Sequence, residues 1–408
     1  MLRWILMLLL APALHAEFAG TYSGVLEVSG TKLRLVLKFE GGTATLGSPD
    51  QSAEEFPADQ VTFHGDRVRV VVKKFQAEYA GRVDGDTIDG QWRQPGVALP
   101  LRMQRVEKVA KLRPQEPDGP LPYEATEVCW TSAVRLCGTL TVPKEPPRIA
   151  IVLLAGSGPL DRDGFAFGHR PMLVLADRLT REGFAVLRFD HRADYPKSTT
   201  HDRAIDAASA LAFLRKRYPR VGFIGHSEGG LVAALAAECA SFIVMLNAPG
   251  LPGRELFRMR AERLARASGR SEEEIARELD LRERVLDGQQ AAGFEELAAF
   301  REANATWLST YFTIDPARVL ARVEAPLLIV AGALDQQVPA DANAYALAAA
   351  KRAGGHTNVE IAVLPGINHQ LQTARSGAIA EYTEIEETVA ESVLRTVTRW
   401  LDPRAPNT

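Results

Sequence analysis

The chain has 408 residues, of which 46% are hydrophobic and 24% are charged, and its formal net charge at pH 7 is −3. This weakly acidic balance gives no reason to expect a nucleic acid or an anionic membrane surface as a partner. The length exceeds that of one typical domain and suggests two or three.

The N-terminus has the pattern of a secretory signal peptide. Arg3 precedes an unbroken apolar run from Trp4 to Leu10, and small residues follow as far as Ala16. Removal of residues 1–16 would leave an exported protein, in the periplasm or the extracellular space. A membrane anchor is the alternative, but the apolar run is far shorter than the roughly 20 residues that a span needs.

Residues 17–106 form short alternating segments with glycine-rich turn signals between them. Segments 22–28 and 32–39 flank Ser29-Gly30-Thr31 and predict a β-hairpin. Seven or eight such segments indicate a small antiparallel barrel or sandwich. This domain lacks a cluster of catalytic residue types, so we expect an accessory or packing role; binding of carbohydrate or lipid is the alternative.

Residues 107–122 lose the alternation and collect prolines, which predicts a linker before a second domain over 123–403. A hairpin over 124–130 and 135–142 opens that domain. Cys129 and Cys137 would face each other across it, as a disulfide or as two free thiols. The third cysteine, Cys239, is expected to be a small buried hydrophobe.

From residue 148 onward, continuous apolar runs alternate with helical patterns. The runs cover 149–154, 184–189, 220–224, 242–246, 326–330 and 359–364. Such runs are typical of strands buried on both faces, and they predict a mostly parallel α/β sheet. The charged, helical interval 254–307 adds no strand and is predicted to cap the carboxyl edge of that sheet, where ligands bind. A solvated packing appendage is the alternative.

Ser227 is the candidate nucleophile. It lies in the run Gly225-His226-Ser227-Glu228-Gly229, between a predicted strand and an Ala/Leu-rich helix. G-x-S-x-G in that context is typical of a nucleophile elbow. The helix passes close to the strand, so the two glycine positions have little room for a Cβ.

A serine nucleophile needs a base, and the base needs a carboxylate that orients it. His369 follows the run 359–364 at the same sheet edge as Ser227, and it is the candidate base. His356 precedes that run and is expected at the far edge, while His226 cannot easily turn back to its neighbour.

The candidate acid is Asp335, which follows the run 326–330. Taken alone, an aspartate here is equally typical of a helix N-cap or a turn. The order serine, acid, histidine at successive strand ends favours the catalytic interpretation. Asp341 is the second candidate, although it lies closer to the next helix.

An oxyanion hole needs two backbone N–H donors. Glu228, the residue after the nucleophile, would supply one, and the loop after residue 154 would supply the other. Ser157 is the preferred donor of that loop and Gly158 the second choice.

Asp161, Arg162 and Asp163 follow in the same loop, and with the Glu228 side chain they are predicted to form an ion-pair network that supports it. Direct contact of Arg162 with substrate is the alternative. The sequence has no spacing typical of a metal site or a phosphate-binding loop, so no cofactor is expected.

These motifs resemble bacterial α/β-hydrolase esterases of the EstD type. The resemblance is carried by residues 154–163, 225–230, 332–339 and Asn368-His369, and also by Ser48-Pro49-Asp50-Gln51, Gly81, Gly90, Trp92, Gly377 and Glu381-Tyr382. It implies an α/β-hydrolase fold with a helical cap, preceded by a β domain. It also implies carboxylesterase activity on small acyl esters, with Ser227, Asp335 and His369 as the triad.

The sequence departs from this family at residues 191–198. Such proteins usually place two glycines after the Phe-Asp pair, where this chain has His191-Arg192-Ala193-Asp194-Tyr195-Pro196-Lys197-Ser198. The change alters a loop near the site and bears on substrate preference. A serine peptidase or amidase on the same fold is the alternative activity, because the triad alone does not choose between ester and amide.

Overall fold

The computed structural model describes residues 18–28, 31–49, 55–107 and 113–402. The predicted signal peptide lies outside these ranges, as do Ser29-Gly30 and Asp50-Gln51. The chain divides into two compact units, Met1–Pro114 and Gln115–Thr408. None of the helices in the described ranges is long and apolar enough to cross a membrane.

The first unit is built on one antiparallel sheet of nine strands in the order β4-β3-β2-β1-β9-β8-β7-β6-β5. The strands are β1 Gly20–Val28, β2 Thr31–Glu40, β3 Thr43–Gly47, β4 Glu55–Pro57, β5 Gln60–His64, β6 Arg67–Val72, β7 Ala77–Asp84, β8 Thr87–Gln94 and β9 Val97–Val106. Alternate side chains fill a core that includes Tyr79 and Trp92.

This sheet curls because its two edge strands are neighbours in the chain. Only Ala58-Asp59 separates β4 from β5. The Ala58 N–H donates to the Ala44 carbonyl at 2.8 Å, and the Asp59 N–H donates to the Val71 carbonyl at 2.8 Å. The unit is therefore one curled sheet rather than a two-sheet sandwich, and it has nine strands rather than seven or eight.

The second unit contains an eight-stranded sheet in the order β10-β11-β13-β12-β14-β15-β16-β17. The strands are β10 Glu124–Thr131, β11 Arg135–Val142, β12 Ile149–Leu154, β13 Ala185–Phe189, β14 Arg220–His226, β15 Ile243–Leu246, β16 Leu327–Gly332 and β17 Val359–Leu364. Neighbours from β13 to β17 are parallel, whereas β10, β11 and β13 pair antiparallel.

Helices cover both faces of this sheet. They are α1 Pro171–Arg181, α2 Thr200–Arg215, α3 Glu228–Leu235, α4 Gly253–Ala267, α5 Glu272–Leu286, α6 Glu295–Ala303, α7 Ala305–Tyr311, α8 Pro316–Leu320, α9 Ala340–Ala353 and α10 Glu391–Leu401. One core lies between the sheet and α2, α3 and α9, and the other lies between the sheet and α1 and α10. The central strands are buried on both faces, which accounts for their continuous apolar sequences.

The cysteines of this unit differ in their surroundings. Cys129 and Cys137 are opposite each other in the β10–β11 hairpin, and the structure joins them in a disulfide. Cys239 is a free, exposed thiol, so the expectation of a buried residue is wrong. The reason is local: α3 ends at Leu235, and Cys239 lies in a left-handed turn with φ 68°.

The predicted linker is in part an element of the second unit. The Gln115 amide bonds to the backbone of Thr388 and Val389 at 2.6–2.9 Å. Glu116 pairs with Arg170 at 3.1 Å. The chain is therefore already fixed to the second unit several residues before β10 begins.

Candidate active site

Ser227 lies on a sharp turn between β14 and α3. Its backbone has φ 54° and ψ −127°, a strained combination for a residue with a Cβ. A Cβ at Gly225 would collide with the Gly229 backbone, and one at Gly229 would collide with the Leu154 carbonyl. Both glycines are therefore needed for the turn. Ser227 itself is partly exposed, although the residues on either side of it are buried.

Asp335 and His369 meet at the carboxyl edge of the sheet, after β16 and β17. The His369 Nδ1 lies 2.8 Å from Asp335 Oδ2. The other carboxylate oxygen accepts the backbone N–H groups of Gln337 and Val338, each at 2.8 Å. Both side chains are almost fully buried, so the carboxylate can hold the imidazole in one tautomer and one orientation.

Two further buried side chains fix the backbone of His369. The His226 Nε2 donates to the His369 carbonyl at 2.7 Å. The Asn247 amide donates to the carbonyls of Asn368 and His369 at 2.9 and 3.0 Å, while its oxygen accepts the Gly332 N–H at 2.7 Å. Asn247 thus ties β16, which precedes Asp335, to the loop that carries His369.

The environment of His226 keeps its ring neutral. Burial, with a smaller contribution from the neighbouring His369, lowers the pKa of His226 to about 3. A neutral ring with its proton on Nε2 matches the hydrogen bond to the His369 carbonyl. His226 therefore positions the loop that carries His369, and the centroids of the two rings are 5.0 Å apart.

The Glu228 carboxylate is 1% exposed and bonds to four side chains. Its Oε2 accepts the Ser157 hydroxyl at 2.6 Å and pairs with the Arg203 guanidinium at 2.8 Å. Its Oε1 accepts the Thr200 hydroxyl at 2.7 Å and the Trp307 indole N–H at 3.0 Å. The residue after Ser227 thereby connects the loop after β12 with α2 and α7.

The loop after β12 runs directly beside the elbow. A Cβ at Gly156 would lie 3.4 Å from the Ser227 Cβ. Within the described parts of the chain, the backbone N–H groups of Ser157 and Glu228 have no hydrogen-bond acceptor. The Gly158 N–H, in contrast, donates to the Tyr195 hydroxyl at 2.7 Å. The geometry therefore favours Ser157 over Gly158 as the second oxyanion donor.

Residues 191–198, which differ from the pattern of the esterases that the chain resembles, hold the Gly158 backbone from two sides. Tyr195 accepts the Gly158 N–H, and the His191 Nδ1 donates to the Gly158 carbonyl at 2.7 Å. The two rings stack at 5.3 Å. The Arg203 guanidinium donates to His191 Nε2 at 3.1 Å, and burial lowers the pKa of His191 to about 3. Side chains absent from a Gly-x-Gly loop thus hold the peptide next to Ser157.

Asp161, Arg162 and Asp163 support the same loop, but they do so without Glu228. Arg162 forms a two-pronged pair with Asp190 and a second pair with Glu127 at 2.6 Å. Asp163 accepts from Arg188 at 2.6 Å. Asp161 accepts the backbone N–H groups of residues 163 and 165. The predicted bond from Glu228 to this segment is wrong, because the Glu228 oxygens are occupied by nearer donors.

The helical segment between β15 and β16 contacts the elbow through α7. Trp307 bonds to Glu228 and stacks on Tyr311 at 4.7 Å. α4 packs on α7 at Gly253, where a Cβ would collide with the Tyr311 ring. The segment therefore packs against the elbow, and its role as a cap over the substrate stays a prediction.

The two alternative candidates lie elsewhere. His356 is in the turn before β17, at the opposite edge of the sheet from Asp335. Asp341 is in the first turn of α9 and pairs with Arg263 of α4 at 2.8 Å. Among the described residues, one grouping has metal-ligand spacing, namely Glu127 with Cys129 and Cys137, and its two sulfurs are joined in the disulfide.

Sequence reasoning missed the residues that act through others, namely Asn247, Tyr195, Arg203 and Trp307. A local signal exists for Asn247, because a polar residue directly after a buried strand marks the functional edge of the sheet. For Arg203 and Trp307 the sequence carries no local signal, since their partner Glu228 is distant in the chain.

Esterase EstD of Thermotoga maritima is 28% identical to this chain over 278 residues, which are 65% of this chain and 65% of the relative. The match thus spans just under two thirds of the relative's length, and it confirms the predicted resemblance to EstD-type esterases. The Pyrococcus furiosus esterase Pf2001 is 19% identical, with 68% of this chain and 92% of that chain covered and a TM-score of 0.43. Est1E from Butyrivibrio proteoclasticus is 17% identical, with coverage of 68% and 97% and a TM-score of 0.43.

A sequence profile of the alpha/beta hydrolase family matches residues 151–373. The match begins in β12 and ends beyond His369, so it covers the elbow and the ends of β16 and β17. It spans more than half of the chain. The chain belongs to the alpha/beta hydrolase family.

Proposed function

We propose that this chain is an exported serine carboxylesterase that cleaves small carboxylic esters through an acyl-enzyme. The observation that carries the proposal is the 2.8 Å bond between His369 Nδ1 and Asp335 Oδ2, at the sheet edge where Ser227 occupies a strained, partly exposed elbow. Residues in this arrangement suit nucleophilic catalysis by serine.

The proposed reaction has two halves. The Ser227 hydroxyl attacks the ester carbonyl while His369 Nε2 takes its proton and Asp335 holds the Nδ1–H. The backbone N–H groups of Ser157 and Glu228 stabilise the oxyanion. The C–O bond then breaks, and His369 gives the proton to the leaving alcohol. Water attacks the acyl-serine with the same base, which releases the acid and restores Ser227.

The preference for esters over amides is supported by the relative named Esterase EstD. A peptidase or amidase would use the same triad, so the triad does not distinguish the two activities, and an assay is needed. Small acyl groups are expected from the resemblance to EstD-type esterases, and the buried Trp307 and Tyr311 of α7 adjoin the elbow helix through Glu228.

The assay compares hydrolysis of p-nitrophenyl butyrate by the wild type, Ser227→Ala and Ser268→Ala. Ser268 is an exposed serine after α4 and serves as the matched control. We expect S227A to lose at least about 1,000-fold in kcat, since loss of a triad nucleophile has effects of this size or larger, and S268A to match the wild type. Equal rates in the wild type and S227A would refute the proposal. An aminoacyl-anilide substrate, cleaved faster than the ester, would favour the peptidase.

Export is supported by the apolar run over residues 4–10 and the small residues that end at Ala16. The test is the mass and N-terminal sequence of the mature protein after expression in a Gram-negative host. We expect the mature chain to start at Glu17 in the periplasmic or extracellular fraction. An intact N-terminus in the cytoplasmic fraction would contradict export.

A further inference from the structure

Arg260 of the cap helix α4 differs from three other arginines of that helix, which form ion pairs, and from Arg258, which is exposed. Arg254 pairs with Glu283 and Asp287, Arg263 with Asp341, and Arg266 with Glu262 and Glu272. Within the described ranges, Arg260 forms neither an ion pair nor a hydrogen bond, although it is partly buried. Its guanidinium lies over the Phe257 ring, with 5.7 Å between the guanidinium carbon and the ring centroid.

Ring contacts place Arg260 near the candidate active site: its neighbour Phe257 lies beside Tyr311, and Tyr311 stacks on Trp307, which bonds to Glu228. Burial lowers the pKa of Arg260, and three neighbours oppose that shift, namely Tyr311, Asp335 and Tyr382. They come from α7, from the loop after β16 and from the segment before α10, and Asp335 is itself bonded to His369. Arg260 is therefore a cap residue within electrostatic reach of the proposed triad.

Asp335 does not serve as the missing partner. One of its oxygens is taken by His369 and the other by two backbone N–H groups. Both tyrosine hydroxyls remain protonated at neutral pH, because burial raises the pKa of Tyr382 to about 12 and that of Tyr311 further still. A partly desolvated guanidinium without a carboxylate is costly, and an anion brought by a ligand would offset that cost.

Several neighbours of Arg260 are aromatic. Phe257 lies 6.5 Å from Tyr311 between ring centroids, and Phe167 packs edge-on against Tyr382 at 5.1 Å. A cationic group among aromatic walls fits a ligand with an apolar body and one anionic end. The planar fork of arginine matches a carboxylate through two parallel hydrogen bonds.

We propose that Arg260 binds a carboxylate on the substrate, so that the enzyme prefers half-esters, in which one end is the scissile ester and the other a free carboxylate. The proposal rests on the esterase function proposed above. Arg260 would act on specificity and not on the chemical step, because the fork would hold the remote end of the substrate while Ser227 attacks the ester.

The test uses two matched pairs of esters in a pH-stat. On the acyl side, ethyl butyrate is compared with ethyl hydrogen succinate, and on the alcohol side, propyl butyrate with 3-(butanoyloxy)propanoate. For the wild type we expect kcat/KM of the charged ester to exceed that of its neutral partner at least about tenfold in one pair. Arg260→Met should reduce this ratio by about 10- to 100-fold, the range for loss of a charge-assisted hydrogen bond.

Two further variants control the test. Arg260→Lys keeps the charge but not the fork, and should give an intermediate ratio. Arg258→Met removes an exposed arginine of the same helix and should leave the ratio within about twofold of the wild type. If the neutral esters are hydrolysed but R260M and the wild type share the same ratio in both pairs, the carboxylate proposal is overturned while the esterase function stands. If none of the esters is cleaved in a Ser227-dependent way, the esterase function itself fails.

Discussion

The indole N–H of Trp307 donates to Glu228 Oε1 at 3.0 Å, and Glu228 directly follows Ser227 in the chain. One carboxylate therefore joins the cap helix α7 to the helix that begins at the elbow. Its other oxygen bonds to Ser157, whose backbone N–H is the proposed oxyanion donor. Helix α7 and the loop after β12 are held by the same buried carboxylate.

Glu228→Gln tests this connection. The amide nitrogen of glutamine cannot accept a hydrogen bond. If it replaces Oε2, Arg203 and Ser157 lose their acceptor, and if it replaces Oε1, Thr200 and Trp307 lose theirs. We expect a loss of about 3 kcal/mol in the free energy of unfolding, as is typical when one member of a buried ion pair is neutralised. We also expect a fall in kcat larger than any rise in KM, because the Ser157 loop loses its anchor. Urea unfolding and initial rates measure these effects. Glu238→Gln, at an exposed glutamate, is the control, and a similar result for the two variants would contradict the role of Glu228.

Trp307→Phe removes one donor and keeps an aromatic ring to stack on Tyr311. We expect the free energy of unfolding to fall by about 2 kcal/mol, within the range for one hydrogen bond to a charged group. The matched control is Trp400→Phe, since the Trp400 indole also donates to a glutamate, at 2.7 Å, but in an exposed position. The free energy of unfolding should fall less in the control variant. A larger loss in W400F than in W307F would show that the buried bond is not the stronger one.

Tyr195→Phe tests the loop that departs from the family. The variant deletes the hydroxyl that accepts the Gly158 N–H, while the stack on His191 remains. We expect kcat/KM for p-nitrophenyl butyrate to fall about three- to tenfold, because the peptide beside the Ser157 donor is held less firmly. Tyr345→Phe, at a residue that is 56% exposed, is the control. Unchanged kinetics in Y195F would show that the Tyr195 hydroxyl does not contribute to the proposed oxyanion hole.

His226 gives stability a defined pH dependence. The pKa of His226 is about 3 in the folded chain and 6.5 in its ordinary range. Between these values the unfolded chain binds a proton that the folded chain does not, so the free energy of unfolding falls as the pH is lowered. From this group alone we expect a loss of about 2 kcal/mol at pH 5 relative to pH 7.5.

The measurement is urea unfolding of the second unit at pH 5 and pH 7.5 in the wild type, His226→Gln and His201→Gln. The first variant should depend less on pH, because the titrating group is gone. His201 is exposed on α2, and its variant should follow the wild type. The assignment to His226 would fail if H226Q and the wild type lost equal stability on acidification.

The sequence was most informative where local pattern and topology act together. The apolar runs 149–154 and 359–364 coincide with the limits of β12 and β17. Carboxyl ends of parallel strands share one edge, so Asp335 and His369 were expected to meet there, and their side chains are 2.8 Å apart. The catalytic roles of Ser227, Asp335 and His369 stay predictions that the assays above address.

The features that sequence reasoning missed depend on contacts between distant segments. Sequence reasoning predicts that Glu228 lies beside the loop after β12, and it does, but its side chain contacts Ser157, Thr200, Arg203 and Trp307 and not residues 161–163. Predicting which donors bond to Glu228 requires the positions of α2 and α7 in space. The hydrophobic periodicity of the sequence does not give these positions. Cys239 was misjudged because α3 ends at Leu235, before the turn that exposes the thiol.

The Trp307–Glu228 bond has a consequence for exchanging caps between related hydrolases. A transplanted helical segment that lacks an N–H donor at the position of the Trp307 indole would leave a buried carboxylate oxygen with one donor fewer. The unsatisfied oxygen would belong to Glu228, next to Ser227, so the structural defect would arise at the elbow and not in the transplanted segment. Chimeras meant to alter substrate choice should therefore be joined outside α7, so that the original tryptophan stays with the original elbow.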